Sequence, residues 1–147
     1  MTEALTHGAG QELLAAWKRA WEARDVDAFL ALFIEEADMR PDPFEQPLLG
    51  GVAIRAYWNA FAAANVNTEF DMERLWVKDR TVLASWHGAS TSRRTTERTR
   101  HRGFLTFDLD PAGRIVRMRG WPGRRVVGID STVKPEPIAP AVSQEGA

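Results

Sequence analysis

Cysteine is absent from the 147-residue sequence. Without a thiol the chain has no disulfide framework, no cysteine nucleophile and no Cys-containing zinc site. The three histidines, His7, His87 and His101, are far apart, which argues against a His-rich metal site. The sequence also lacks an apolar run of roughly 18 residues and a basic–apolar–small N-terminal signal. We therefore expect a cytoplasmic protein that spans no membrane and uses neither a metal nor a cofactor.

The sequence also has no excess of one charge, since it contains 19 Lys and Arg residues and 20 Asp and Glu residues. A net charge of −1 gives no field that would draw the whole chain to nucleic acid or to an anionic membrane, so we expect neither as a partner. The sequence is instead rich in aromatic residues, with six Trp and seven Phe against a single Tyr. Such side chains either fill a core or line a pocket for a small apolar molecule.

Hydrophobic periodicity predicts helices in the first part of the chain. Apolar spacings of three and four indicate one helix over about 13–21, a second over 26–33 that Asp25 caps, and a third over about 54–61. Between the second and the third, the Pro-rich and Gly-rich stretch 38–51 is typical of a short strand and an irregular loop.

From about residue 66 the period becomes two, which predicts strands. These strands are expected around 70–77, 82–90, 94–109 and 115–121, with a turn at 110–113. Helices followed by an antiparallel meander are typical of an α+β fold, with the helices packed on one face of a curved sheet.

Composition sets the expected domain limits. Residues 1–10 are small, polar and Gly-containing, so we expect a flexible N-terminus. Residues 131–147 carry three prolines among charged and small residues, which is typical of a disordered tail. The globular domain is therefore expected over 11–130.

The strand predicted over 94–109 has two different faces. Its even positions include Arg94, Arg98, Arg100 and Arg102. Alternation places all four on one side. We expect them to be solvated or paired with acidic residues. A nucleic-acid or phosphate surface is the alternative, although no aromatic residue is interleaved with them.

Asp42 is the strongest candidate for chemistry. It lies between Pro41 and Pro43, which restrict the backbone on both sides, and it precedes the apolar residues Phe44 and Pro47. A stiffly held carboxylate at the border of an apolar region is suited to act as a general base. The alternative interpretation is that Asp42 only caps a turn.

The segment DPFEQPLLGGVAIRAYW, residues 42–58, resembles the Asp-Pro-Phe…Gln-Pro…Gly…Ile…Tyr pattern of bacterial ketosteroid isomerases and of the wider SnoaL-like, nuclear-transport-factor-2-like superfamily. Similar blocks lie at 17–33 and 110–121, so the resemblance covers about 13–121. It implies a cone-shaped α+β barrel, in which three N-terminal helices pack in a strongly bent sheet. It also implies a homodimer formed through the outer face of the sheet.

The resemblance places the general base of those isomerases on Asp42. It places their two oxyanion donors, a Tyr and a protonated Asp, on Trp17 and Leu105. Leu105 can donate nothing, and Trp17 offers one indole N–H in a different place. Loss of one such donor commonly costs on the order of 10²–10³ in rate. We therefore do not expect ketosteroid isomerisation, whereas steroid binding stays possible.

The resemblance further implies a pocket for the substrate. Its expected wall consists of Trp17, Phe44, Trp58, Leu105, Met118 and Gly120. His101 shares strand parity with Leu105, so it is expected at the pocket or its mouth, where an Asp42–His101 pair could shuttle a proton. Alternatively, His101 is an exposed residue of a polar stretch.

A limonene-epoxide-hydrolase type of site would need a carboxylate–Arg–carboxylate set. Asp42, Arg93 and Glu97 match that set only loosely.

Two functions from different classes remain open at this stage. The first is an acid/base enzyme of the isomerase, dehydratase or cyclase type that acts on an apolar substrate, with Asp42 as its base. The second is a non-catalytic ligand-binding or dimerisation domain, which the residues Trp17 and Leu105 favour.

Overall fold

The computed structural model describes residues 4–136, which form three helices and one six-stranded sheet. The elements in chain order are α1 (His7–Ala23), α2 (Val26–Leu30), β1 (Phe33–Arg40), β2 (Leu48–Leu49), α3 (Gly50–Ala64), β3 (Asn65–Lys78), β4 (Thr81–Ser92), β5 (Glu97–Leu109) and β6 (Ile115–Ile129). No helix in this part of the chain is long and apolar enough to cross a membrane.

The sheet has the strand order β2-β1-β6-β5-β4-β3 and does not close on itself. β1 pairs with β6 in parallel, and every other neighbouring pair is antiparallel. Helices α1 and α3 pack against this bent sheet, and the predicted cone-shaped α+β fold is confirmed.

Trp17 lies at the centre of the core. Its side chain is 3% exposed, and its ring lies 4.9 Å from that of Phe29 and 5.0 Å from that of Phe107. Each such aromatic pair contributes about 0.5–1.5 kcal/mol beyond the burial of its area. The aromatic richness of the sequence therefore serves mainly to fill the cone.

The helix ends follow from their capping residues. Thr6 Oγ1 accepts a hydrogen bond from the Ala9 amide at 3.0 Å, so α1 begins at His7, within the stretch expected to be flexible. Asp25 caps α2 as predicted, since its carboxylate accepts from the Ala28 amide at 3.0 Å.

Helix α2 is shorter than the prediction of 26–33. It ends at Leu30, because Phe33 already belongs to β1 and pairs with Ile115 of β6. Sheet pairing between distant residues here overrides the local helical spacing.

Strands β5 and β6 also differ from their predicted limits. β5 begins at Glu97 rather than at 94, since Thr96 has a φ of 59° and lies in the turn that follows β4. Arg94 is therefore not part of the row of arginines. β6 continues to Ile129, eight residues beyond the predicted end at Trp121.

Two arginines of that row are paired with acidic residues of β3, as expected. Arg98 Nη2 lies 3.2 Å from Glu69 Oε2, and Arg102 forms an ion pair with Glu73. Arg98 and Arg102 are thus neutralised across the intervening strand β4.

The first residues of the predicted tail stay in contact with the sheet. The Asp130 carboxylate accepts from Thr132 Oγ1 at 2.6 Å and from Thr91 Oγ1 at 2.8 Å, and these hydrogen bonds hold the pKa of Asp130 well below its usual range. The Glu136 amide donates to the Arg93 carbonyl at 2.8 Å. Thr132 and Glu136 therefore contact the rest of the fold, and residues 137–147 of the predicted tail lie outside the described residues.

The pairing of β1 with β6 is held by two contacts next to each other. Both oxygens of Asp38 accept from the Arg119 guanidinium at 2.9 Å, which lowers the pKa of Asp38. At the next residue, a Cβ on Gly120 would stand only 2.6 Å from the carbonyl oxygen of Pro41. The chain that leaves β1 can therefore cross β6 only where β6 has no side chain.

We predict that Gly120→Ala destabilises the protein by about 1–3 kcal/mol, because the new methyl group meets backbone rather than a movable side chain. Gly123→Ala is the matched control on the same strand, since its Cβ would meet only the Arg102 carbonyl at 3.5 Å. That change should stay within about 0.5 kcal/mol. Urea unfolding measures both, and equal stabilities of the two variants would contradict the close approach.

Candidate functional site

The concave face of the sheet leads from the core to a group of polar side chains. Leu105 and Phe107 of β5 lie on this face and are buried. Because strand residues alternate between faces, His101 shares this face, and its Cα partner on β6 is Arg124. His101 and Arg124, together with Asp42, Tyr57 and Ser90, are called the Asp42 site below.

Asp42 is positioned by the turn that follows β1. The Arg40 guanidinium donates to the Pro43 carbonyl at 2.6 Å and ties the turn to the strand. Asp42 Oδ1 accepts from the Phe44 amide at 3.0 Å, while Oδ2 lies 3.6 Å from Arg124 Nη2. Asp42 thus caps its turn and also presents a carboxylate oxygen to the sheet.

His101 is held on two sides. Its Nε2 lies 3.0 Å from Ser90 Oγ, and its ring stacks on that of Trp86 with centroids 6.2 Å apart. Burial lowers the pKa of His101, and the charges of Arg124 and Arg98 lower it further. The ring is therefore neutral near pH 7 and able to accept a proton.

Tyr57 of α3 is the third titratable group of this region. Burial raises the pKa of its hydroxyl, the nearby charge of Arg124 lowers it, and that of Asp42 raises it again. The Tyr57 hydroxyl therefore keeps its proton at neutral pH and can donate a hydrogen bond.

Two buried indole nitrogens lack partners. Among residues 4–136, neither Trp58 Nε1 nor Trp86 Nε1 has a hydrogen-bond partner. Buried polar groups are nearly always paired, so these two unpaired N–H groups are exceptions within the described residues. Trp58 stacks on Trp21 of α1, and Trp86 stacks between Phe70 and His101.

Most of the expected wall residues belong to the core. Trp17, Trp58, Leu105 and Met118 are between 2% and 5% exposed. Gly120 is buried against Pro41. The absence of a side chain at this position lets the backbone of the turn after β1 pack closely against β6.

Phe44 does not line the site. Its side chain is 95% exposed, because the turn that Asp42 caps directs it away from the sheet. The expected position of Phe44 in the pocket wall is therefore wrong.

Asp42, Arg93 and Glu97 do not form the carboxylate–Arg–carboxylate set that a limonene-epoxide-hydrolase type of site would need. The arginine that meets Asp42 is Arg124, whereas the Arg93 backbone pairs with Ala64 and Glu136. Glu97 is exposed and pairs with Ile129, four residues along β5 from His101.

Sequence reasoning missed Arg124, Ser90 and the role of Tyr57. Extending the predicted last strand past Trp121 would have placed Arg124 on the inner face, at even spacing from Met118 and Gly120. The structure also shows that Trp86 faces inward. His87 faces outward beside Asp71.

A family model for the SnoaL-like domain matches residues 14–118. No curated protein matches the chain in sequence. Several solved structures share the fold at low sequence identity, and three of them illustrate the range.

The chain is similar to SalBIII, described as an epoxide hydrolase/cyclase-like enzyme in pyran ring formation in the polyether salinomycin. The two are 23% identical with a TM-score of 0.74, over 82% of this chain and 97% of that one. A Mycobacterium tuberculosis protein in complex with estradiol-17beta-hemisuccinate is 20% identical, with a TM-score of 0.68 over 77% and 92%. A SnoaL-like protein from Shewanella denitrificans is 12% identical, with a TM-score of 0.69 over 78% and 90%.

We predict that Arg124→Gln raises the pKa of His101, because a positive charge that disfavours the imidazolium is removed. Arg100→Gln is the control. Arg100 neighbours His101 in sequence but points to the opposite face of the sheet. An NMR titration of the His101 ring measures both variants, and equal shifts in the two would contradict the placement of Arg124.

The same titration has a consequence for stability. Since the folded state disfavours protonated His101, the unfolded state binds more protons below about pH 6.5. The contribution of His101 to stability is therefore present above that pH and is lost as the pH falls through the folded pKa. In Arg124→Gln this loss should become smaller.

Proposed function

Since the chain belongs to the SnoaL-like family, we propose that it binds a small apolar molecule at the Asp42 site and transfers a proton on it, with Asp42 as the base. The observation that supports this most is the placement of the Asp42 carboxylate. Asp42 Oδ2 lies beside Arg124, on the concave face that also carries a neutral His101.

The proposed ligand carries a carbonyl or hydroxyl oxygen. The two indole N–H groups of Trp58 and Trp86 are buried without partners, and an acceptor oxygen on the ligand would satisfy such a donor. The protonated hydroxyl of Tyr57 is a further donor. These groups would replace the donors that Trp17 and Leu105 do not supply.

The proposed step is removal of a proton from the carbon next to a carbonyl group. The C–H bond breaks, Asp42 takes the proton, and the electron pair moves onto the carbonyl oxygen. Hydrogen-bond donors and the Arg124 charge stabilise the resulting enolate. Asp42 then returns the proton, directly or after His101 has taken it up from Asp42, to another carbon of the ligand or to a leaving hydroxyl group that departs as water.

The reaction type follows from where the proton returns. Return to a carbon gives an isomerase, and loss of water gives a dehydratase. Attack of the enolate carbon on a second carbonyl group of the same ligand forms a C–C bond and an alkoxide that takes the proton from Asp42, which gives a cyclase. Each version needs only side chains of this chain and the ligand, so the proposed chemistry is independent of a cofactor.

We predict that Asp42→Asn abolishes proton exchange in a bound ketone. In heavy water, the wild-type protein should speed deuterium incorporation next to the carbonyl of trans-2-decalone, an apolar cyclic ketone. The variant should lose on the order of 10²–10⁴ of that acceleration, because Asn cannot accept a proton. NMR of the ketone measures the exchange.

Glu45→Gln is the matched control, since Glu45 is an exposed carboxylate of the same turn. Asp42→Asn keeps an oxygen for the Phe44 amide and gives up an ion pair that is partly exposed, so it should unfold within about 1 kcal/mol of the wild type. A folded Asp42→Asn variant that exchanges at the wild-type rate would disprove Asp42 as the base.

A non-catalytic ligand-binding domain is the second candidate. The burial of Trp17 and Leu105, where the isomerases have their oxyanion donors, favours it. It predicts that the wild-type protein binds the ketone, seen as quenching of Trp fluorescence, and that exchange stays at the rate in buffer. The two readouts together separate the candidates.

We also propose that the protein is a homodimer formed through the outer face of the sheet. Phe104 and Trp121 are partners in neighbouring strands on this face, and they are 46% and 47% exposed. Contiguous apolar surface of this kind is typical of an interface.

We predict that Trp121→Glu converts the dimer to a monomer, because it places a charge in the proposed interface. Val52→Glu is the control, since Val52 is 90% exposed on α3, away from this face. Sedimentation should give twice the chain mass of 16.5 kDa for the wild type and the control, and 16.5 kDa for Trp121→Glu. A wild-type protein that sediments as a monomer would refute the dimer.

A further inference from the structure

A basic groove runs over the neighbouring strands β5 and β6. It has a volume of about 450 Å³ and is lined by Arg100, Arg102, Gly123, Arg124, Arg125 and Val127. Four of these six residues are arginines, although the whole chain has a net charge of −1. The positive charge is therefore concentrated locally.

The four arginines differ in how they are neutralised. Arg102 pairs with Glu73, and Arg124 lies 3.6 Å from Asp42. Within residues 4–136, neither Arg100 nor Arg125 has a carboxylate within ion-pair distance. The groove thus contains two uncompensated guanidinium groups.

Arg100 and Arg125 are direct partners in the register of β5 and β6. The Cβ atoms of such a pair lie about 4.5–5.5 Å apart, and like charges there destabilise a sheet. A phosphate group between the two side chains would remove the repulsion, because each guanidinium can bind two of its oxygens.

We propose that this groove binds the phosphate group of a small molecule, with Arg100 and Arg125 as its principal ligands. The proposal goes beyond the proton transfer assigned to Asp42 and does not depend on it. Arg100 and Arg125 point to the outer face of the sheet, opposite the face that carries His101 and Asp42, so the phosphate would lie on the outer face. A small phosphorylated molecule fits this arrangement.

Nucleic acid fits the groove less well. Proteins that bind single strands combine a basic groove with aromatic residues on which the bases stack. No aromatic residue lines this groove. A small phosphate compound needs only the arginines.

The test is isothermal titration with inorganic pyrophosphate at constant ionic strength. The wild-type protein should bind it. The Arg100→Gln/Arg125→Gln variant should bind it at least about tenfold more weakly, because tenfold is what the loss of one charge-assisted contact costs. Arg19→Gln/Arg114→Gln is the charge-matched control, because both arginines are exposed and lie outside the groove. This control should bind like the wild type.

A second readout needs no ligand. Without pyrophosphate, Arg100→Gln/Arg125→Gln should melt at a higher temperature than the control variant, because the repulsion between β5 and β6 is gone. Asp42→Asn should still bind pyrophosphate, which separates this proposal from the proton transfer.

Three outcomes would overturn the phosphate site. They are equal weakening in the groove and control variants, no binding of pyrophosphate by the wild type, and binding of an oligonucleotide without binding of pyrophosphate.

Discussion

The crossing of the Pro41 segment over Gly120 is the constraint on which the candidate site depends. A Cβ at position 120 would come within 2.6 Å of the Pro41 carbonyl, so a glycine is needed there. The ion pair of Asp38 with Arg119 secures the same crossing from the opposite face of the sheet. Asp42 follows immediately and is delivered to the concave face beside Arg124. The parallel pairing of β1 with β6 therefore positions Asp42, the proposed base.

Arg124 connects the groups that the proposed chemistry uses. It lies 3.6 Å from the Asp42 carboxylate, its charge adds to the burial that lowers the pKa of His101, and it opposes the burial that raises the pKa of Tyr57. At neutral pH the site thus combines the Asp42 carboxylate, paired with Arg124, with a neutral imidazole and a protonated phenol. The cone behind them is filled around Trp17, so a ligand would be bound at its mouth rather than deep inside.

The fold followed from the sequence because periodicity and caps are local: Asp25 caps α2, and the change of period separates helices from strands. Only part of the candidate site could be predicted from the sequence. Asp42 was marked by its two prolines, but Arg124 lies beyond Pro122 and Gly123, which resemble the end of a strand. Pairing with β5 carries β6 past them. Phe44 was misplaced because apolarity does not reveal where a turn directs a side chain.

A crystal structure of the protein purified from its native organism, without added ligand, tests most directly whether the Asp42 site binds a small molecule. The account predicts electron density for a small molecule in contact with the Asp42 carboxylate and with the indole N–H of Trp86. An ordered site in which only side chains and water surround Asp42, in protein handled so that bound molecules are retained, would contradict it.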